Sequence, residues 1–254
     1  MFQNNEIKIF VINLKKDRHK RSAIVKHLSS LQLAYEIIDA VDGRLLSDVQ
    51  VENMTDVRLS KKLIGRGLTR GEVGCALSHL EIYKRVLNEN LNYALILEDD
   101  VTVSDKIFDF FDCLSNLPEK LDVLLLGYYN NPNTEKKSTA SFWGSMSIGK
   151  SYRCLRLIEK AYGTHGYIIT NAGANKIIKD TENLIEPIDH YTGNYQKYSV
   201  YGINNLLVKL DPYYSKQSNI SAERSINSEN VAKVRKFKGL KLFIRRFFPV
   251  KRYY

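Results

Sequence analysis

Tyr93-Ala94-Leu95-Ile96-Leu97-Glu98-Asp99-Asp100 has the form of a buried strand that ends in a cluster of acids. Five residues without a charge run straight into three acids. An apolar run with no polar alternation reads as a strand buried on both faces, which belongs to a sheet covered by helices on either side. Upstream, Thr69-Arg70-Gly71-Glu72 has the form of a capping box. It opens a helix to about Asn90, with Val73, Ala76, Leu77, Leu80, Tyr83 and Leu87 at helical spacing. Further back, Ile7 to Ile12 reads as a strand and Asp17 as the cap of a helix carrying Ile24, Leu28 and Leu31. Ala34 to Ile38 reads as a second strand leaving in the turn Asp39-Ala40-Val41-Asp42-Gly43. Strand, helix, strand predicts a βαβ unit and a parallel sheet.

Downstream of the acids the pattern continues with a helix over 105–117, a strand over 123–126, a strand at Gly166 to Ile169 and a helix from Asn171 to about Asp180. Residues 130–155 read as a long surface loop or lid, and 186–221 as irregular and Tyr-rich. The expected architecture is α/β, a single sheet with flanking helices in one domain over 1–228, followed by a basic tail over 229–254.

Composition narrows the function. The 254 residues are 44% hydrophobic and 26% charged, which is ordinary globular usage and excludes a disordered, collagenous or disulfide-scaffold chain. No apolar run approaches the ~18 residues of a membrane span. The start of the chain lacks a basic n-region and makes a poor signal peptide. Cys75, Cys113 and Cys154 fit neither a zinc spacing nor a disulfide framework, so a reduced cytoplasmic compartment is expected. The net charge of +10 suggests nucleic acid until it is located. Nine of the 38 basic residues fall between Val231 and Tyr254 with no acid among them, and the other 29 face 28 acids. The body is close to neutral, so an anionic partner is expected to meet the tail rather than the fold.

Ligands of open α/β sheets bind beyond the carboxyl ends of the strands, where Glu98, Asp99 and Asp100 stand. Alternation along an extended segment would bring Glu98 and Asp100 together and turn Asp99 away. Grouped carboxylates repel unless a cation offsets them, and hard oxygen ligands suit Mg²⁺ or Mn²⁺ shared with substrate phosphates. Gly65-Arg66-Gly67-Leu68-Thr69-Arg70-Gly71 is neither a dinucleotide fingerprint nor a P-loop. Ser78 and His79 are adjacent on one helix and point apart, so they form no nucleophile pair. Asp189 follows Pro187 on a loop-like segment, a position from which a carboxylate can act as a general base.

These residues carry a resemblance. Phe10-Val11-Ile12-Asn13-Leu14 with Arg21, then Leu68 to His79, then Leu95-Ile96-Leu97-Glu98-Asp99-Asp100-Val101, are similar to successive blocks of glycosyltransferase family 25. Gly163-Thr164-His165-Gly166-Tyr167-Ile168-Ile169 and Pro187-Ile188-Asp189 continue the order, and the likeness spans roughly residues 7 to 220. Family 25 holds bacterial lipooligosaccharide galactosyltransferases and related collagen galactosyltransferases. The resemblance implies a GT-A type, Rossmann-like fold and inverting, metal-dependent transfer of a hexose, galactose by family habit. The donor would be a UDP-sugar and the acceptor a lipid-linked oligosaccharide, such as a lipooligosaccharide or lipopolysaccharide core.

By the same resemblance Asp100 contacts Mn²⁺ or Mg²⁺ directly, and Glu98 supports the metal or the ribose. Asp189 is the catalytic base. Asn13, Arg21, Ala40 and Asp42 line the nucleotide pocket, with Ser78, His79 and Asp99 at the donor. In the tail, Val234, Phe237, Leu240, Phe243 or Ile244, and Phe247 recur at helical spacing among the cations. That is the pattern of a basic amphipathic helix on an anionic membrane surface, here the inner face of the cytoplasmic membrane. A metal-dependent phosphohydrolase would need more His and Asp ligands than the chain offers. A nucleic-acid-binding protein using the tail is disfavoured by the neutral body.

Overall fold

The computed structural model describes residues 7–130 and 138–214. The first half of the chain runs β1 (Lys8–Asn13), α1 (Arg18–Ser30), β2 (Glu36–Asp39), α2 (Asp48–Met54), α3 (Val57–Ile64), α4 (Arg70–Asn88) and β3 (Tyr93–Glu98). The second half runs β4 (Val101–Val103), α5 (Ile107–Phe111), β5 (Val123–Leu125), β6 (Met146–Ser147), β7 (Arg153–Arg156), β8 (Gly166–Thr170), α6 (Asn171–Asp180), α7 (Ile188–Thr192), β9 (Val200–Ile203) and β10 (Val208–Leu210).

Eight strands form one sheet in the order β2-β1-β3-β8-β5-β9-β7-β6, and β4 and β10 make a separate antiparallel pair. Alternation through the central strands builds two cores. Ile9, Val11, Leu95, Leu97, Leu124 and Ile168 face one way, onto Ile24 and Leu28 of α1 and Ile107 and Phe110 of α5. Phe10, Ile12, Ala94, Ile96, Val123, Tyr167 and Ile169 face the other way, onto α4, α6 and α7. A strand whose neighbours all lie under helices has no solvent face, which is why Ala94–Leu97 carries no polar residue. The expected α/β architecture, one Rossmann-like sheet with flanking helices, is what the chain adopts.

Four features differ from the sequence reading. The sheet is mixed, because β8 runs antiparallel between β3 and β5. The helix expected over 105–117 is α5 and a separate 3-10 turn at Leu114–Asn116. The segment expected as an open loop over 130–155 contributes β6 and the start of β7, which close the sheet edge against β9. Likewise α7, β9 and β10 lie inside the stretch expected to be irregular. The basic tail over 229–254, and the helix expected in it, lie outside the described residues.

Candidate functional site

A cleft with a cavity volume of about 140 Å³ opens at the carboxyl ends of β1 and β3. Its walls are the turn after β2 (Ala40 to Arg44), the first turns of α4 (Gly71, Cys75, Ser78, His79), Asp17 and Lys20 of the α1 segment, and all three acids. The α4 wall is fixed by its cap: Thr69 accepts from the Glu72 amide at 3.1 Å, and Glu72 accepts from the Thr69 amide at 2.9 Å. Ser78 then ties the walls together. Its hydroxyl donates to the Gly74 carbonyl at 2.7 Å and accepts from the Val41 amide at 2.9 Å. Asp42 caps the turn at Gly43–Leu45 and pairs with Arg44 at 2.9 Å and with Lys16.

The acids divide differently from the expected alternation. β3 ends at Glu98, and Asp99 and Asp100 form the turn into β4, so the two-residue period stops there. Asp99 and Asp100 share one cation: the Lys20 ammonium lies 3.3 Å from Asp99 Oδ1 and 3.4 Å from Asp100 Oδ2. Asn13 is buried and donates to Asp99 Oδ2 at 2.7 Å. It does not line the cleft but orients the acid that does. Asp100 is buried, its Oδ1 has no hydrogen-bond partner, and burial with the nearby Glu98 charge pushes its carboxyl up to about 6. A buried, unpartnered carboxylate oxygen under the influence of two further acids, Glu98 and Asp99, fits a hard cation.

Glu98 turns toward Thr164, whose hydroxyl donates to its carboxylate, and toward His79, whose Nε2 is 3.7 Å away. Burial works to raise the Glu98 carboxyl, but the His79 imidazole and the Thr164 hydroxyl outweigh it and hold the group well below the usual carboxylate range. Two neighbouring acids are thus driven in opposite directions, as catalytic carboxylate sets often are. Arg21 is not in the cleft; it pairs with the exposed Asp39 at 3.1 Å. Asp189 does not line the cleft either. It sits on α7, and its Oδ1 is buried with no hydrogen-bond partner. The Glu98 and Asp189 charges both act on His165, which burial nonetheless pulls below its usual value.

Sequence reasoning missed Lys20 and Thr164. Lys20 is one cation among Arg18, Lys20 and Arg21 in the first turn of α1, and nothing in their order marks the one that faces inward. Thr164 is quoted in the Gly163–Ile169 block, yet only its position beside β3 reveals its contact.

A profile described as "Glycosyltransferase family 25 (LPS biosynthesis protein)" matches residues 6–192. The chain is 29% identical over 192 residues to procollagen galactosyltransferase 1-A of Xenopus laevis, covering 72% of this chain and 30% of that protein. It is 31% identical over 187 residues to procollagen galactosyltransferase 1-B of the same species, again covering 72% and 30%. It is 28% identical over 191 residues to a probable inactive glycosyltransferase 25 family member 3 of Rattus norvegicus, covering 72% and 32%. The chain therefore spans about a third of the length of these relatives.

Proposed function

Since the chain belongs to glycosyltransferase family 25, we propose that it transfers galactose, with inversion, from UDP-galactose to a lipooligosaccharide or lipopolysaccharide core. The observation that carries this reading is the cleft itself, in which Glu98, Asp99 and Asp100 meet the Ala40–Asp42 turn, Ser78 and His79. The similarity to procollagen galactosyltransferases supports galactose as the sugar, and the family's association with lipopolysaccharide biosynthesis supports the acceptor.

Asp100, with Glu98 beside it, would hold Mn²⁺ or Mg²⁺. Bound there, the ion supplies charge neutralisation for the departing diphosphate. The chain's own residues do the rest. Lys20 faces the same cleft and adds positive charge beside the phosphates. The turn from Ala40 to Asp42, held by Ser78, shapes the nucleoside end. Asp189 takes the proton from the attacking acceptor hydroxyl, so that the oxygen approaches opposite the leaving group.

The test is calorimetric binding of a UDP-sugar panel with and without Mn²⁺, followed by product analysis with a core oligosaccharide. Metal-dependent binding that favours UDP-galactose, with transfer lost in Asp100→Asn, is the expected result. A folded protein that binds no UDP-sugar under these conditions overturns the reading.

A further inference from the structure

Beside the acids, three side chains from two elements converge. Cys75 and His79 stand one helical turn apart on α4, and Glu98 ends β3. The Cys75 sulfur, a His79 ring nitrogen and a Glu98 carboxylate oxygen lie within 4.8 Å of one another. His79 is fully buried, and its Nε2 has no hydrogen-bond partner. Its Nδ1 is held at 2.7 Å from the Tyr167 hydroxyl, which is itself 2.6 Å from the Tyr83 hydroxyl. Metal-binding imidazoles are oriented in this way: an outer group fixes one nitrogen and the other is left bare toward the ion. The Glu98 carboxylate stands 3.7 Å from that nitrogen, beyond hydrogen-bond reach, so a cation seated between them would satisfy both buried groups.

We propose that Cys75, His79 and Glu98 form a binding site for Zn²⁺, adjacent to the oxygen-lined position at Asp100 and sharing Glu98 with it. The donor set decides the metal. One sulfur, one imidazole nitrogen and one carboxylate, with the cleft open for a fourth ligand, match the preferences of zinc, whereas Mg²⁺ and Mn²⁺ favour oxygen alone. Binding deprotonates the Cys75 thiol and releases that proton to water. The sequence hides the site because the third ligand comes from another element, 19 positions after His79. Glu98 is shared with the acids of the donor cleft, so zinc withdraws an oxygen ligand from it and inhibits transfer. That consequence, unlike the binding, rests on the function proposed above.

The test uses the full chain, stripped with a chelator and titrated with Co²⁺ as a spectroscopic stand-in for Zn²⁺. A thiolate-to-cobalt charge-transfer band with tetrahedral visible absorption, both erased by an equivalent of Zn²⁺, is expected. Cys75→Ser should lose the charge-transfer band, Asp100→Asn should keep it, and Tyr167→Phe should weaken Co²⁺ binding by ~10–100-fold. Absence of the band overturns the proposal. So does its persistence in Cys75→Ser, which would assign it to Cys113 or Cys154. UDP binding with Mn²⁺, measured on the same samples, reports on the donor reading independently.

Discussion

Asp100 carries a stability cost as well as a chemical role. Its carboxyl is raised from 3.8 to about 6 in the folded chain. A raised carboxyl means that the folded state binds its proton more tightly than the unfolded state does. Well below pH ~4 both states are protonated and nothing is lost. The penalty grows from about pH 4, where the unfolded carboxyl ionises while the folded one keeps its proton. It is complete above about 6, where the folded state too must ionise a buried group. The penalty approaches the ~3 kcal/mol that two pK units represent. Asp100→Asn should therefore raise the melting temperature at pH 8 and leave it nearly unchanged at pH 4, while transfer is lost. A melting temperature at pH 8 equal to or below that of the parent protein would contradict the buried-charge account. Asp189→Asn should behave differently, lowering transfer by ~10²–10⁴-fold with UDP-sugar affinity intact; equal loss of both would make Asp189 a donor-site or structural residue. At this scale the sequence was legible where chemistry is dense. Three consecutive acids after an apolar strand announce themselves, and all three line the cleft. The Lys20 contact is illegible because it depends on the azimuth of α1 relative to β3, which a run of cations does not encode.

The element that governs the cleft is α4, and its fit depends on the absence of a side chain. A Cβ on Gly74 would come within 2.6 Å of the Gly43 nitrogen and 2.7 Å of the Val41 carbonyl oxygen, so the helix rests directly on the backbone of the turn after β2. Both obstacles are backbone and cannot rotate away. Gly74→Ala should cost ~1–3 kcal/mol by overpacking and, by displacing the Val41–Ser78 hydrogen bond, weaken UDP-sugar binding together with stability. Thermal melts and calorimetry on one sample check this; unchanged nucleotide affinity in a destabilised protein would separate the turn from the donor pocket. The α4 helix itself was readable, because capping box and periodicity agree: expected from Thr69 to about Asn90, it spans Arg70–Asn88. The later elements were not. α7 has five residues and β10 three, too short for any period to emerge. β9 (Val-Tyr-Gly-Ile) carries a glycine whose Cβ would strike the Tyr128 ring, a packing reason that mimics a loop signal. The 105–117 segment reads as one helix because apolar residues persist through it, yet the helix stops at Phe111 and a 3-10 turn follows at Leu114–Asn116.

Across the whole molecule, charge is distributed as two separate problems. The near-neutral body sets the consecutive acids Glu98, Asp99 and Asp100 in one cleft, while the last 24 residues hold nine cations and no acid. Val234, Phe237, Leu240, Phe243 or Ile244, and Phe247 fall at intervals of three to four, with Lys233, Arg235, Lys236, Lys238, Lys241, Arg245 and Arg246 around them. Such a stripe with cationic flanks suits an anionic bilayer, which attracts each cation by ~1 kcal/mol near its surface. A membrane-bound acceptor would give this affinity a purpose: holding the cleft at the surface raises the local acceptor concentration without adding a contact inside the site. A chain ending at Ser228 should keep its turnover of a soluble acceptor analogue. It should also lose sedimentation with vesicles containing phosphatidylglycerol, and the full chain's sedimentation should fall steeply as salt is added. Equal vesicle binding by both chains would refute the docking role. Aggregation of the shortened chain would refute it too, because the stripe would then belong to the core.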